Sequence, residues 1–250
     1  ETPTLQALKV PSGAELRPCD SLGLWWVDPG RTTLAPGESL SLYWVWEAVD
    51  QPPEAKKAAL ALEDARSRTV QTWEVPLSAE WWPTDRWRHR DRWVGYPTLR
   101  LSGSLSSGEY ALKVQLPGCD VLAEIPLTIH APERVWTVPE SLTVSDWVFG
   151  SKIRLAGYSV PNQPVDPGTS VSVRLAWQAL DEIAAPYRVF VHLIDDTGRL
   201  IGQSDGAPVD WTRPTTGWAV GEVVVETRTL ALPDGTDAGS YDLRVGLYDE

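Results

Sequence analysis

"LAPGESLSLYWVWEAVD" (residues 34–50) and "VDPGTSVSVRLAWQALD" (residues 165–181) lie 131 residues apart in the same chain. The same shift, held without a gap, sets "WWPTDRW" on "TRPTTGW", "TLRL" on "TLAL" and "GEYALKVQL" on "GSYDLRVGL". It gives 22 identities between residues 34–117 and 165–248. A gapless match of that length marks two copies of one domain. Within the copies, Leu40, Leu42, Trp44 and Trp46 alternate with Ser39, Ser41 and Tyr43, and Val171, Val173, Leu175 and Trp177 repeat the pattern. A period of two is the signature of a half-buried strand. Pro-Gly at 36–37 and 167–168, "DDTG" at 195–198 and "PDG" at 233–235 supply chain reversals.

The register also settles an ambiguous segment. "EAKKAALALEDARSR" (residues 54–68) has helix-forming composition. It falls on "APYRVFVHLIDDTGR", a β-branched and aromatic run. Because the copies share a fold, both segments are expected to be strands. Six or seven short strands per copy predict an all-β chain of two tandem immunoglobulin-like antiparallel β-sandwiches. The expected layout is an N-terminal segment (1–14), a first sandwich (15–130), a linker (131–146) carrying Pro132 and Pro139, and a second sandwich (147–250). Trp46 and Trp177, with Tyr110 and Tyr241, are expected as structural core residues.

Copy one continues into "VLAEIPLTI" (residues 121–129), a last strand, whereas copy two reaches Glu250 where that strand would begin. Its edge is expected to be short, or filled by another segment such as "TLQALKV" (residues 4–10). The two cysteines belong to no Cys-x-x-Cys or Cys/His cluster, which argues against zinc. They either pair or remain buried thiols. Cys19 is placed just before the first strand and Cys119 just before the last, positions that neighbour each other in a sandwich. A disulfide there would close a loop of about 100 residues, stabilise by roughly 4–5 kcal/mol, and imply an oxidising compartment.

The net charge of −12 repels phosphate backbones, so nucleic acid is not an expected partner. No apolar run approaches the roughly 18 residues of a membrane span. The start "ETPTLQ", without Met or signal-peptide pattern, reads as a fragment of a longer protein. None of the GxSxG, HExxH, GxxxxGK[ST] or GxGxxG motifs occurs. His89, His130 and His192 are scattered, and no catalytic residue, metal site or cofactor is expected. Asp195, Asp196, Asp205 and Asp210 suit turns better than calcium, and a glycosidase carboxylate pair is neither excluded nor indicated.

"EWWPTDRWRHRDRW" (residues 80–93) divides into shared and private parts. Pro83, Thr84 and Trp87 recur as Pro214, Thr215 and Trp218, so Trp87 and Trp218 are expected to pack the loop onto the sandwich. Trp81, Trp82 and Trp93 fall on Thr212, Arg213 and Val224, and Arg86, Arg88, Arg90 and Arg92 fall on Gly217, Ala219, Gly221 and Val223. This surplus fits a glycan-binding surface, since indole faces stack on sugar rings. It also fits a membrane-interface or protein contact, or tryptophans that pack under arginines by cation–π contact. Trp211 stands alone at the matching loop of copy two and is expected to add to the same candidate glycan surface.

In copy two, "IRLAGYSV", "YRVFVHLIDDTGRLIGQSDGAPV", "RPTTGWAVGEVV" and "GSYDLRVGLYD" resemble a particular domain. It is the β-sandwich at the C-terminal end of Chloroflexi-type multi-pass membrane proteins similar to protein-mannosyltransferase-like glycosyltransferases. The resemblance covers about 100 residues and implies a sandwich fold and a cell-surface location. It carries no catalytic residue, because that family's chemistry sits in its membrane part. The function expected is a non-catalytic extracytoplasmic region contacting a glycan or a cell-surface or membrane protein. The alternatives are a structural spacer and, third, a carbohydrate-active enzyme.

Overall fold

The structure is a computed structural model and describes residues 10–249. It is all-β and divides into two compact units, the first running to Leu101 and including Ser106–Ala131, the second comprising Ser102–Leu105 and the chain from Pro132 onward.

The first unit holds β1 (Arg17–Cys19), β2 (Leu22–Asp28), β3 (Thr33–Leu34), β4 (Ser39–Ser41), β5 (Tyr43–Ala48), β6 (Lys57–Asp64), β7 (Thr69–Pro76), β8 (Arg92–Gly95), β9 (Thr98–Arg100), β10 (Gly108–Gln115) and β11 (Val121–Ile129). One sheet has the order β1-β2-β5-β8 and the other β3-β11-β10-β6-β7, with β4 and β9 paired beside them. This is immunoglobulin-like strand order. The second unit holds β12 (Thr143–Phe149), β13 (Ile153–Ser159), β14 (Ser170–Ala179), β15 (Arg188–Ile194), β16 (Leu200–Gly206), β17 (Val223–Ala231) and β18 (Asp242–Tyr248). Its sheets are β12-β13-β14-β17 and β16-β15-β18.

The segment with helix-forming composition is a strand. Ala58, Leu60 and Leu62 of β6 are buried at alternate positions, as Val189, Val191 and Leu193 are in β15. Pairing with β10 and β7 on both sides outweighs helix propensity. Tyr110 and Tyr241 are half-buried rather than core. Their hydroxyls donate to the carbonyls of Ser106 (3.0 Å) and Asp237 (2.6 Å), each four residues back, and so brace the turn into β10 or β18. This is the tyrosine corner of immunoglobulin-like sandwiches.

Residues 131–146, read in sequence as a linker, are largely built into the second unit. Val135 accepts from the Val223 N–H at 2.7 Å, Val138 and Leu142 pack against Ala176 and Val223, and β12 begins at Thr143. Arg134 pairs with the fully buried Glu222 at 2.6 Å. Residues 4–10 lie, but for Val10, outside the described residues.

Cys19 and Cys119 form a disulfide with Cα atoms 6.1 Å apart. Cys19 is the last residue of β1 rather than a residue preceding the first strand. β1 and β11 belong to opposite sheets, so the bond ties one layer to the other.

Trp46 and Trp177 are both fully buried, yet their surroundings differ through one exchange of volume. In the first unit Trp44 lies opposite Gly95 on β8; in the second, Leu175 lies opposite Glu226 on β17. The Trp44 indole covers Gly95 so closely that a Cβ there would sit 2.1 Å from Nε1. In the second unit the Trp177 N–H donates to Glu226 at 2.7 Å, while Trp44 and Trp46 have no acceptor among the described residues. Gly95→Ala is therefore expected to destabilise the first unit by about 1–3 kcal/mol in denaturant unfolding. Trp44→Leu/Gly95→Gln, which recreates the second unit's volumes with a neutral acceptor for Trp46, should be more stable than Gly95→Gln alone; equal stability of the two would disprove the exchange. Reduction of the disulfide should lower the unfolding free energy of the first unit only, by roughly 4–5 kcal/mol, as read by denaturant unfolding.

Candidate functional site

The loop between β7 and β8 is built on a frame common to both units. In the first, the Thr84 hydroxyl accepts from the Lys56 N–H (2.7 Å) and donates to the Glu54 carbonyl (3.4 Å). Thr215 does the same with Tyr187 and Ala185, both at 2.9 Å. Trp87 and Trp218 are buried and donate their indole N–H to the carbonyls of Trp82 (3.4 Å) and Arg213 (3.0 Å). Asp91 accepts the Arg88 N–H and Glu222 the Ala219 N–H. Proline, threonine, tryptophan and an acid thus fix one loop conformation twice.

The private tryptophans stand on this frame as a column running from the interior to solvent. Trp93 is half-buried and stacks on Trp87 with centroids 6.3 Å apart. Trp81 meets Trp93 edge-on at 6.0 Å and Trp82 at 6.5 Å. Trp81 remains 70% exposed and Trp82 37%. Ring contacts of this kind orient an indole while leaving its outer surface free.

The arginines divide. Arg86, Arg88 and Arg90 are exposed, and Arg86 donates to the Trp81 carbonyl at 3.0 Å. Arg92 instead turns to the sheet face, where it pairs with Glu47 and lies 4.6 Å over the Trp25 ring. Trp25 donates to the same Glu47 carboxylate at 2.7 Å. Cation–π packing therefore forms at Trp25, a residue that sequence reading did not single out; its partners, Glu47 and Arg92, lie on two other strands, β5 and β8. Arg90 holds φ at 70°, the left-handed position that the second unit gives to Gly221.

In the second unit Trp211 is 63% exposed, with the Arg188 guanidinium 5.0 Å from its ring centroid. It ends a run of three left-handed residues, Val209, Asp210 and Trp211, with φ of 51°, 48° and 70°. Such backbone is costly, most of all for β-branched Val209. The turn is held by Glu226, which accepts the Val209 N–H at 3.1 Å, while Arg228 pairs with Glu226 and donates to the Gly206 and Ala207 carbonyls.

Two of the four candidate calcium ligands, Asp195 and Asp205, do other work. Asp195 accepts the N–H groups of Thr197 and Arg199 in the hairpin; the Thr197 hydroxyl, then the Arg199 N–H, hold its carboxyl below the ordinary value. Asp205 lies 3.2 Å from His192. Among the described residues the one metal-sized group is Cys19, Asp20 and Cys119, and its thiols are joined in the disulfide. The buried carboxylates Glu222 and Glu226 are each paired with arginine. Among the described residues no helix is long and apolar enough to cross a membrane.

No family model and no curated protein matches the chain. It is similar in structure to the C-terminal domain of wzt, with a TM-score of 0.38 and 10% identity over 55% of this chain and 91% of that one. The alpha-2-macroglobulin of E. coli in its native conformation gives a TM-score of 0.32 and 8% identity over 94% of this chain. Salmonella alpha-2-macroglobulin reacted with methylamine gives 0.32 and 10%, also over 94%. This chain spans only 14% and 15% of those two proteins.

Arg90→Gly is expected to stabilise the first unit by about 1 kcal/mol in denaturant unfolding, because it relieves a left-handed backbone at an exposed position. A loss of stability would mean that the Arg90 side chain itself supports the loop.

Proposed function

We propose that this chain is a non-catalytic, extracytoplasmic region of a cell-surface or membrane-anchored protein, and that its first unit contacts glycan through Trp81 and Trp82, which Trp93 supports from beneath. The observation that carries the reading is the exposure of Trp81 on a column of indoles rooted in the core. A large apolar ring kept in water on a braced loop suits a ligand that is itself part apolar, as the face of a sugar ring is. Exposed Arg86, Arg88 and Arg90 add donors for hydroxyl or carboxylate oxygens. The disulfide supports an oxidising location. The resemblance to C-terminal sandwiches of mannosyltransferase-like membrane proteins supports an accessory role beside such an enzyme. Trp211, displayed on its own strained turn, is a second candidate contact.

The alternative is a structural spacer, favoured by the loop frame that both units share. A glycan-array screen of the chain beside Trp81→Ala/Trp82→Ala separates them. Binding that falls about tenfold or more in a variant of unchanged melting temperature is the expected result. If neither protein binds any glycan, the spacer reading replaces this one.

A further inference from the structure

The chain holds 34 acidic residues against 22 lysines and arginines, so its cations are outnumbered by carboxylates. Arg31, Arg68 and Arg92 of the first unit each pair with one. Arg86, Arg88 and Arg90 are exposed on the β7–β8 loop and form no ion pair among the described residues. Asp91, the half-buried acid of that loop, is spent on the Arg88 N–H at 2.7 Å, and exposed Glu80 and Asp85 do not come within ion-pair distance of the three. The fold does not ask for these arginines, since the repeat sets Gly217, Ala219 and Gly221 in their places. Arg90 even holds a left-handed backbone, with φ of 70°, where the second unit has glycine. Strained backbone of this kind gathers at ligand contacts.

Arg86 supplies the geometry. Its Nη1 donates to the Trp81 carbonyl at 3.0 Å, which fixes the guanidinium beside the most exposed indole of the column. Nε and Nη2 take no partner among the described residues, and the edge they form is the parallel donor pair that a carboxylate accepts. We propose that the Trp81 site selects acidic glycans, with a uronic acid stacked on the indole and its carboxylate on Arg86, an assignment that rests on the glycan reading above and narrows its ligand. A uronic acid carries its carboxylate on a ring carbon, so stacking of the ring leaves that group pointing past the edge of the indole. Arg88 and Arg90 add positive charge on the same loop. The net charge of −12 does not oppose this contact, because charges more than about 8 Å away are largely screened at physiological salt. It does oppose a flat anionic membrane, which meets the acidic surface over a much wider area.

The test is affinity electrophoresis of the full chain in polygalacturonate, alginate and hyaluronan, each beside the same polymer with its carboxyl groups reduced to alcohols. At least one acidic polymer should bind about tenfold more tightly than its reduced form. Arg86→Gln should bring the two forms to equal affinity without a change in melting temperature, whereas Trp81→Ala should weaken both. Arg90→Gly, expected to fold at least as stably as the parent chain, should lower the affinity for the acidic form alone, by about threefold. Arg66→Gln removes an exposed, unpaired charge from the β6–β7 hairpin and should change neither. Equal binding of acidic and reduced forms, or a neutral glycan bound on an array while all three acidic polymers fail, overturns the acidic-sugar inference and leaves the glycan reading standing. No binding to any glycan overturns both. A loss with Arg66→Gln equal to that with Arg86→Gln overturns the inference in favour of general charge attraction, and binding to phosphatidylglycerol vesicles alone does so in favour of a membrane surface.

Discussion

The volume between the two layers of each sandwich governs much of the rest. Each unit must fill the space beside its β5 or β14 tryptophan, and each does so with a different cross-strand pair: Trp44 against Gly95, or Leu175 against Glu226. The first solution is apolar and leaves two indole N–H groups without an acceptor among the described residues. The second brings a carboxylate into the interior, which requires Arg228 and further donors to be tolerable. That requirement reaches the surface. The Glu226 oxygens serve Trp177 on one side and Val209 on the other, so the strained turn that displays Trp211 is anchored directly to the core.

The same logic separates frame from cargo in the loops. Thr84 and Thr215 bond equivalent backbone groups in the two units, and Trp87 and Trp218 plug the same place. With the conformation fixed by those residues, neighbouring positions are free to vary. The first unit uses that freedom for Trp81, Trp82 and Trp93 and for Arg90 in a position that glycine suits better. Rigid scaffolding under variable side chains is the usual arrangement of a binding loop.

Strands, turns and the division of the Trp-rich stretch were legible in the sequence because the repeat supplies a register, and a register converts similarity into structural equivalence. It overruled helix propensity at β6, where local composition alone points the wrong way. What stayed hidden depends on partners far along the chain. The cluster of Trp25, Glu47 and Arg92 joins β2, β5 and β8, and nothing in any one segment announces it. The role of Arg134 is equally silent, since it lies in a stretch without periodicity and its partner Glu222 is distant. Exposure was the least legible quantity: the comparison between copies marks Trp81 and Trp93 alike as surplus, but only packing makes one a free surface and the other its support.

The asymmetry between the units is consistent across independent features. In the first, β11 closes the sheet, β3 pairs with its end, and the disulfide sits at its start, where Cys119 precedes Val121. In the second, the counterpart of Cys19 is Gly150, and the segment matching β3 is not a strand. The disulfide, the β3 pairing and the full burial of Leu112 and Val114 occur together in the first unit, where they hold β11 to its sheet. In the second unit the corresponding Leu243 and Val245 are only partly buried.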